Sequence, residues 1–310
     1  MLRRTLLWLS EQGWLSRFVR RNGIARLFAS RFVAGDTADA GVGVVRALEA
    51  RGFGATLDLL GESVHDPAEA EAARDAYLEA LERLHAAGLG CNVSVKLTQM
   101  GLDVDEALCI ANVRAIVARA RQHGGFVRID MEQSSYTEST LRLFREHFHP
   151  EFGDAVGVVL QSALRRTPAD VDAMIELGAR VRLCKGAYKE PPDVAFPRKR
   201  DVDATYVLCM ERLLERGSYP AIATHDERIL AHAKAFVHER HILTTRFEFQ
   251  MLYGVRRDLQ QELRREGYGV RVYVPFGGQW YPYLMRRLAE RPANLAFVLG
   301  NIVRESVRRS

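Results

Sequence analysis

The sequence contains few cysteines and no arrangement of residues that is typical of a metal site. Its four cysteines, in 310 residues, are Cys91, Cys109, Cys184 and Cys209, and no two of them form a C-x-x-C pair. This spacing argues against a zinc site or a disulfide framework and predicts reduced thiols in the core of a cytoplasmic protein. H-x-x-x-H spacing is also absent, and His225-Asp226 is the one His/carboxylate pair at a predicted strand end, so metal catalysis is the weaker option.

Long apolar runs and nucleotide-binding glycine motifs are missing as well. No run approaches the length that spans a bilayer, and no cleavable signal segment is evident. The absence of G-x-G-x-x-G after the first predicted strand disfavours a doubly wound dinucleotide-binding fold. A net charge of +5 without an aromatic and basic repeat gives no reason to expect a nucleic-acid partner. The hydrophobic content of 47% predicts a globular protein.

Acidic residues are almost absent from residues 2–34. Glu11 is the single acid there, whereas seven arginines are mixed with leucines and aromatic residues, and Gly13 and Gly23 interrupt the pattern. This composition predicts two or three short basic amphipathic helices that suit an acidic membrane surface. The alternative is that these helices cap the main domain. One more helix is expected over residues 38–51, and we place an N-terminal helical segment at residues 1–50.

After residue 50 one unit recurs: a β-branched run, a polar or glycine-containing turn and a helical stretch. The predicted strands are 53–60, 91–97, 126–131, 156–161, 181–186, 221–225, 246–252 and 270–275. The helices predicted between them are 68–87, 105–123, 137–148, 168–177, 204–216, 227–238 and 255–266. Such alternation indicates a parallel sheet, and eight units favour a closed (βα)8 barrel over an open sheet. The barrel domain is expected to occupy residues 51–310, including a C-terminal helix.

The predicted strands carry polar residues where a barrel enzyme would place its site. These residues are Asp58, Glu62, Lys96, Asp130, Gln161, Arg182, Lys185, Thr224, His225, Asp226, Glu248, Gln250 and Tyr273. Active sites of such barrels lie at the C-terminal ends of the strands, and buried polar groups need partners or a ligand. Two interpretations are open for any one of them: an internal ion pair, such as Asp58 with Lys96, or a role in catalysis.

The eighth strand is followed by a predicted helix with a basic face. Tyr283, Arg286 and Arg287 lie at i, i+3 and i+4 and therefore share one side of that helix. Two guanidinium groups beside a phenol suit a carboxylate or a phosphate, although a solvent-exposed basic face is the alternative. Schiff-base chemistry at Lys96 or Lys185 is also compatible with this fold.

Seven segments stand out in order along the chain: Val95-Lys96-Leu97-Thr98, Ile129-Asp130-Met131-Glu132, Leu160-Gln161, Arg182-Leu183-Cys184-Lys185-Gly186-Ala187-Tyr188, Ala223-Thr224-His225-Asp226, Phe247-Glu248-Phe249-Gln250-Met251-Leu252-Tyr253-Gly254 and Tyr283-Leu284-Met285-Arg286-Arg287. Together they resemble the proline dehydrogenase family, in its small monofunctional bacterial form. The match runs from about Ala55 to Val298.

The resemblance implies a distorted (βα)8 TIM-type barrel that holds non-covalent FAD. It implies oxidation of L-proline to Δ1-pyrroline-5-carboxylate, with electrons passed to a membrane quinone. The expected location is cytoplasmic, with a peripheral position on the inner face of the cell membrane as the option that the basic helices favour. A homo-oligomer is compatible with the sequence.

The resemblance also implies roles for individual residues. Lys96, Arg286 and Arg287 are expected to hold the proline carboxylate, and Asp130 to hold Lys96 and the pocket in register. Tyr273, Leu252 and Tyr283 would pack around the substrate ring, while Arg182 would lie beside the redox-active nitrogen of the flavin. The other implied flavin contacts are Met131, Gln161, Lys185, Gly186, Ala187, Thr224, His225 and Glu290.

Overall fold

The computed structural model describes residues 29–281 and 283–285, which contain a closed barrel of eight parallel strands. Each strand pairs with the next along the chain, and the eighth pairs with the first. The strands are β1 Gly54–Leu59, β2 Asn92–Val95, β3 Phe126–Ile129, β4 Val156–Gln161, β5 Arg180–Cys184, β6 Ala221–Ala223, β7 Glu248–Leu252 and β8 Val270–Phe276. All eight predicted strands and the (βα)8 fold class are therefore confirmed.

Helices surround this barrel, and in the described part of the chain one lies directly before β1 and one follows each of the strands β1 to β7. They are α1 Ala38–Glu49, α2 Pro67–Ala86, α3 Glu106–Gln122, α4 Thr137–Leu143, α5 Thr167–Glu176, α6 Lys199–Arg216, α7 Glu227–Glu239 and α8 Arg257–Arg265. After α4 the chain continues through a π-helical stretch, Phe144–Phe148, and a further turn, His149–Phe152. Side chains of Thr37, Asp66, Asp105 and Asp226 accept hydrogen bonds from backbone N–H groups at the starts of α1, α2, α3 and α7, which fixes where these helices begin.

One helix differs clearly from its predicted bounds. α6 begins at Lys199, five residues before the predicted start at residue 204. Its first turn is almost entirely polar, so the apolar periodicity that predicts a helix is absent there. The turn is instead stabilised by an i, i+4 ion pair between Lys199 and Asp203.

The two faces of the barrel strands bury different kinds of side chain. Side chains alternate along a strand, so one set points towards the helices and the other towards the barrel axis. The outer set is apolar and fully buried, as Leu57, Leu183 and Phe249 show. The inner set is largely polar: Thr56, Asp58, Ser94, Arg128, Arg182, Glu248 and Gln250 are each at most 6% exposed.

A second apolar cluster lies at the C-terminal end of β8. It contains Ala29, Phe32, Val33, Leu60, Trp280, Tyr281, Tyr283, Leu284 and Met285. The chain here is tied to the barrel because Ala34 N–H donates to Pro275 and Gly277 N–H donates to the carbonyl of Gly35, at 2.9 and 2.8 Å. Residues 29–34 therefore pack against the barrel, whereas both interpretations of the predicted basic helices stay predictions.

The remainder of the basic segment, residues 2–28, lies outside the described residues, as does most of the predicted C-terminal helix. Of the residues after β8, 280, 281 and 283–285 are described as helical. The division of the chain at residue 50 stays a prediction. Within the part that the structure describes, no helix is both long enough and apolar enough to cross a membrane.

Candidate active site

Lys96 and Asp58 form a buried ion pair near the C-terminal ends of β1 and β2. The ammonium nitrogen of Lys96 lies 2.7 Å from Asp58 Oδ1, and the two side chains are 14% and 2% exposed. Burial alone would favour the neutral amine, but the charge of Asp58, with further contributions from Tyr77 and Asp130, raises the pKa of Lys96 above its ordinary value. Lys96 is therefore a cation at neutral pH.

Asp130 connects two side chains from other parts of the barrel. Its Oδ1 accepts from Arg182 Nη1 at 2.6 Å, and its Oδ2 accepts from the hydroxyl of Tyr273 at 2.8 Å. The expectation that Asp130 holds Lys96 is thus wrong in its contact: Lys96 donates to Asp58, and Asp130 affects it through charge. Burial, followed by the charge of Asp130, raises the pKa of Tyr273 well above its ordinary value, so the phenol keeps its proton.

A second group of charged residues lies nearer the N-terminal end of the barrel than Asp130 and its partners. Glu248 is the first residue of β7, not its end as the sequence suggested, because the strand continues to Leu252. Its Oε1 accepts from Arg271 Nε at 2.8 Å and from Gln250 Nε2 at 2.5 Å. Arg182 Nε in turn donates to Gln250 Oε1 at 2.5 Å, which joins the two groups into one network.

Three of the predicted cofactor residues come together at the ends of β3, β4 and β5. The side-chain amide of Gln161 donates to the carbonyl of Met131 at 2.9 Å and to that of Glu132 at 3.0 Å. Gly186 has φ of +104°, and a Cβ added there would lie 3.3 Å from Gln161 Oε1. Glycine is suited to this position because it adopts positive φ without steric cost. Ala187 follows on the exposed rim.

The neighbouring predicted contacts, Lys185, Thr224 and His225, take part in structural hydrogen bonds. Lys185 Nζ donates to Asp203 at 2.6 Å and to Asp226 at 2.8 Å, so acidic side chains balance its charge. Thr224 Oγ1 accepts from the N–H of Asp226 at 3.1 Å. His225 Nε2 accepts from the N–H of Leu252 at 2.9 Å, which leaves the proton of a neutral ring on Nδ1.

A buried carboxylate that the sequence prediction did not single out lies beside Gln161. Glu132, 5% exposed, accepts from both the N–H and the hydroxyl of Thr98, at 3.1 and 2.5 Å. Burial raises the pKa of Glu132, although the bonds from Thr98 act in the opposite direction. The hydrogen bonds between Thr98 and Glu132 join the loops that follow β2 and β3.

Sequence reasoning also missed Ser94, Arg128 and Arg271, which lie in the barrel interior. A signal was available, because each stands two positions before a polar residue that was identified: Lys96, Asp130 and Tyr273. Side chains two apart in a strand share a face, so counting back from those residues identifies the second inward layer.

The remaining predicted substrate residues are partly described. Leu252 ends β7 and is half-buried, and Tyr283 is helical and 7% exposed. Arg286, Arg287 and Glu290 lie outside the described residues, so their positions relative to Lys96 stay predictions.

A closed parallel barrel with buried, mutually paired ionisable groups near the C-terminal ends of its strands has the organisation of a (βα)8-barrel enzyme. The family model described as proline dehydrogenase matches residues 42–299. The chain belongs to the proline dehydrogenase family and is an enzyme of this class.

Similar proteins agree with this assignment along nearly the full chain. Proline dehydrogenase 1 of Bacillus subtilis (strain 168) is 44% identical over 305 residues, which cover 98% of this chain and 100% of the relative. Proline dehydrogenase of Deinococcus radiodurans is 42% identical and covers 98% of both. Among solved structures, proline utilization A (PutA) from Bdellovibrio bacteriovorus, inactivated by N-propargylglycine, has a TM-score of 0.81 and 29% identity. That match covers 89% of this chain but only 34% of the PutA chain.

Proposed function

We propose that this enzyme oxidises L-proline to Δ1-pyrroline-5-carboxylate with non-covalent FAD and passes the electrons to a membrane quinone, as the first step of proline catabolism to glutamate. The observation that carries this proposal is the Lys96 cation, buried near the C-terminal ends of the strands in the same barrel interior as the network of Asp130, Arg182 and Tyr273. A buried cation such as Lys96 suits a small anionic substrate, and the Arg182 guanidinium suits a cofactor that gains negative charge during the reaction.

On the substrate side, Lys96 would attract and hold the carboxylate. Its partner Asp58 keeps it protonated, so it binds as a cation in spite of its burial. Arg286 and Arg287, one turn after the buried Tyr283, would complete the carboxylate clamp from the helix that follows β8. The substrate ring would then pack between Tyr273, Leu252 and Tyr283. Positioning of this kind supplies much of the catalytic effect in a bimolecular reaction.

The opposite side of the barrel mouth is suited to a flavin. Gly186 has no side chain and a conformation that favours glycine, which permits close approach of a flat ligand above Gln161. Met131, Gln161, Lys185, Gly186, Ala187, Thr224, His225 and Glu290 are the residues that would hold FAD, with Arg182 nearest the charge that forms on reduction. Bound FAD would supply the two-electron acceptor.

In the proposed reaction proline reacts with its ring nitrogen neutral. The ring CH2 carbon next to nitrogen, which does not carry the carboxylate, loses a hydride, and the nitrogen loses its remaining proton. A C=N bond forms between them, so two electrons and two protons leave the substrate. Lys96 holds the carboxylate, and Tyr273 keeps its proton and its bond to Asp130. Activity should increase with pH as the substrate amine becomes neutral.

The same geometry argues against Schiff-base chemistry by Lys96. A lysine nucleophile must be neutral, and the pKa of Lys96 is raised, not lowered. Lys185 is engaged by two carboxylates. A lyase function therefore has no support from these side chains.

For the location, we propose a cytoplasmic enzyme whose basic residues 2–28 meet acidic lipid at the inner face of the membrane, where the quinone is found. Deleting residues 1–28 keeps the packed residues 29–34. Activity with a liposome-bound quinone should fall, while activity with a soluble dye acceptor stays. If the deletion leaves the activity with the liposome-bound quinone unchanged, the proposed lipid contact is contradicted.

The chemistry is tested with purified protein. It should be yellow, proline should bleach the flavin absorbance without oxygen, and the cyclic imine product should be trapped by o-aminobenzaldehyde. Replacing Arg286→Met should raise KM for proline by about 10-fold or more, because a charge-assisted contact is lost, and should leave the flavin bound. A colourless protein, or unchanged KM in the variant, would contradict the proposal.

A further inference from the structure

Arg182 is held from three sides inside the barrel. It lies in the middle of β5, 6% exposed, and donates to Asp130 on the β3 side at 2.6 Å, to Ser94 on β2 at 3.1 Å and to Gln250 on β7 at 2.5 Å. Its guanidinium carbon also lies 5.2 Å from the centre of the Tyr273 ring. The contact with Gln250 crosses an entire strand, because β6 separates β5 from β7.

β6 permits this crossing because its inward residues are small. Ala221 is the register partner of Arg182 on one side and of Glu248 on the other, and Ala223 is the partner of Gln250. Residues in register on parallel strands point to the same face, so two methyl groups stand where larger side chains would block the guanidinium.

The orientation of the Gln250 amide is determined by its other neighbour. Glu248 accepts from Arg271 at 2.8 Å. Although burial acts to raise the pKa of Glu248, the charge of Arg271 and the bonds from Arg271 and Gln250 lower it, so the carboxylate is ionised at neutral pH. An ionised carboxylate only accepts hydrogen bonds, so Gln250 must turn its NH2 towards Glu248 and its oxygen towards Arg182.

We infer that Glu248 and Gln250 are positioning residues for Arg182: Glu248 orients the Gln250 amide, and the amide oxygen fixes the Nε edge of the guanidinium. The inference rests on the proposed function, in which Arg182 stabilises the negative charge of the reduced flavin. Loss of the Gln250 oxygen would leave the guanidinium with hydrogen bonds to Asp130 and Ser94 only, so its Nε edge would no longer be held.

The variant Gln250→Leu tests this inference because it keeps the approximate volume and removes both hydrogen-bonding groups. Its kcat should fall by about 10- to 100-fold, the range that a small misplacement of a reacting group causes. KM for proline should stay near wild type, because Lys96 and Asp58 are unchanged. The reduction potential of the bound flavin should shift to a more negative value, because the cation that would stabilise the reduced form is held less firmly. Glu248→Gln should shift both quantities in the same direction by less, since its neutral amide permits either orientation of Gln250.

Tyr206→Phe is the matched control. It removes a buried hydrogen bond of 3.1 Å that reaches β5 at Leu183 from α6, outside the barrel. It should lower thermal stability without changing kcat or the potential. A shift of potential in Tyr206→Phe equal to that in Gln250→Leu would overturn the inference, since general loosening of β5 would then explain both.

A readout without flavin separates this inference from the proposed function. In protein stripped of flavin and labelled with 15N-arginine, the Nε–H of Arg182 should resist exchange with solvent in the wild type and in Tyr206→Phe, and exchange faster in Gln250→Leu. Unchanged exchange, potential and kcat in folded Gln250→Leu would overturn the inference; if that variant does not fold, the same result in Glu248→Gln would do so. Wild-type protein that neither binds flavin nor oxidises proline would overturn the proposed function instead, while the exchange experiment would still report on Gln250.

Discussion

The inner and outer faces of the same strands are stabilised by different physics. On β5, Leu183 points outwards and is fully buried against the helices, whereas Arg182 beside it points inwards and is held by hydrogen bonds to three other strands or strand ends. Apolar contact is non-directional and tolerates exchange between side chains of similar volume. A buried charge needs specific partners, and its cost is high when one of them is removed. The outer layer should therefore determine stability, and the inner layer should determine stability and activity together.

The largest effect is expected from Asp130→Ala in the inner layer. This change leaves the Arg182 guanidinium and the Tyr273 hydroxyl without a shared partner. The free energy of unfolding should fall by about 3 to 5 kcal/mol, as for other broken buried pairs. Since Arg182 also loses its orientation, kcat/KM should fall by about 100-fold or more. Denaturant unfolding and steady-state kinetics check both quantities. Wild-type kinetics in this variant would contradict the claim that the inner layer determines activity.

Leu183→Ala probes the outer layer at the neighbouring position. The cavity that it creates should lower the free energy of unfolding by about 2 to 5 kcal/mol. The kcat/KM of the folded enzyme should stay close to wild type, because no inner contact is removed. The measurement is urea unfolding, with kinetics at a temperature where the variant is folded. A loss of kcat/KM as large as that in Asp130→Ala would show that the two layers are not separable.

Ionisation of Glu248 should make the free energy of unfolding depend on pH, and this effect is expected to be smaller than those of the two substitutions above. Because the folded-state pKa of Glu248 lies below its unfolded value, its contribution to stability is present above the unfolded pKa, about 4.3, and is lost as pH falls through the folded pKa. The stability difference between wild type and Glu248→Gln should thus be constant from pH 7 to about 5 and narrow in more acidic solution. Urea unfolding across that range measures it, and a difference that widens on acidification would contradict the sign.

The smallest effect is expected for an ion pair on the surface. Lys234 Nζ lies 2.9 Å from Glu266, a distance similar to that between Lys96 and Asp58, but the side chains are 28% and 36% exposed. Lys234→Met should change the free energy of unfolding by less than about 1 kcal/mol and leave the kinetics unchanged. A cost equal to that of an interior pair would mean that burial is not what separates the two kinds of ion pair.

Most of the fold could be predicted from local patterns. The eight strands and the helices between them follow from apolar periodicity and turn residues, and the starts of α2, α3 and α7 coincide with aspartates that cap them. The start of α6 could not, because an ion pair between Lys199 and Asp203 replaces apolar periodicity in its first turn.

The candidate site was predictable in its members but not in their pairing. Lys96, Asp130, Arg182 and Tyr273 could be identified because polar residues stand out in nearly apolar strands. The sequence offered Asp58 as a partner of Lys96 and also assigned Lys96 to Asp130, and it could not decide between the two, because only the radius and register of the barrel place the atoms. Arg182 illustrates this, because its partners Ser94 and Gln250 are 88 and 68 positions away in sequence.

The sequence by itself determined the class of architecture, the apolar outer layer and the residue types available for chemistry. These depend on periodicity and composition, which are local properties of the chain. Only the tertiary structure decided that Asp58 holds Lys96, that Asp130 holds Arg182 and Tyr273, and that Gln250 reaches Arg182 across two alanines of β6. The physical reason is closure of the barrel, which brings side chains from distant strands to the same axis and leaves their charges no partners except one another.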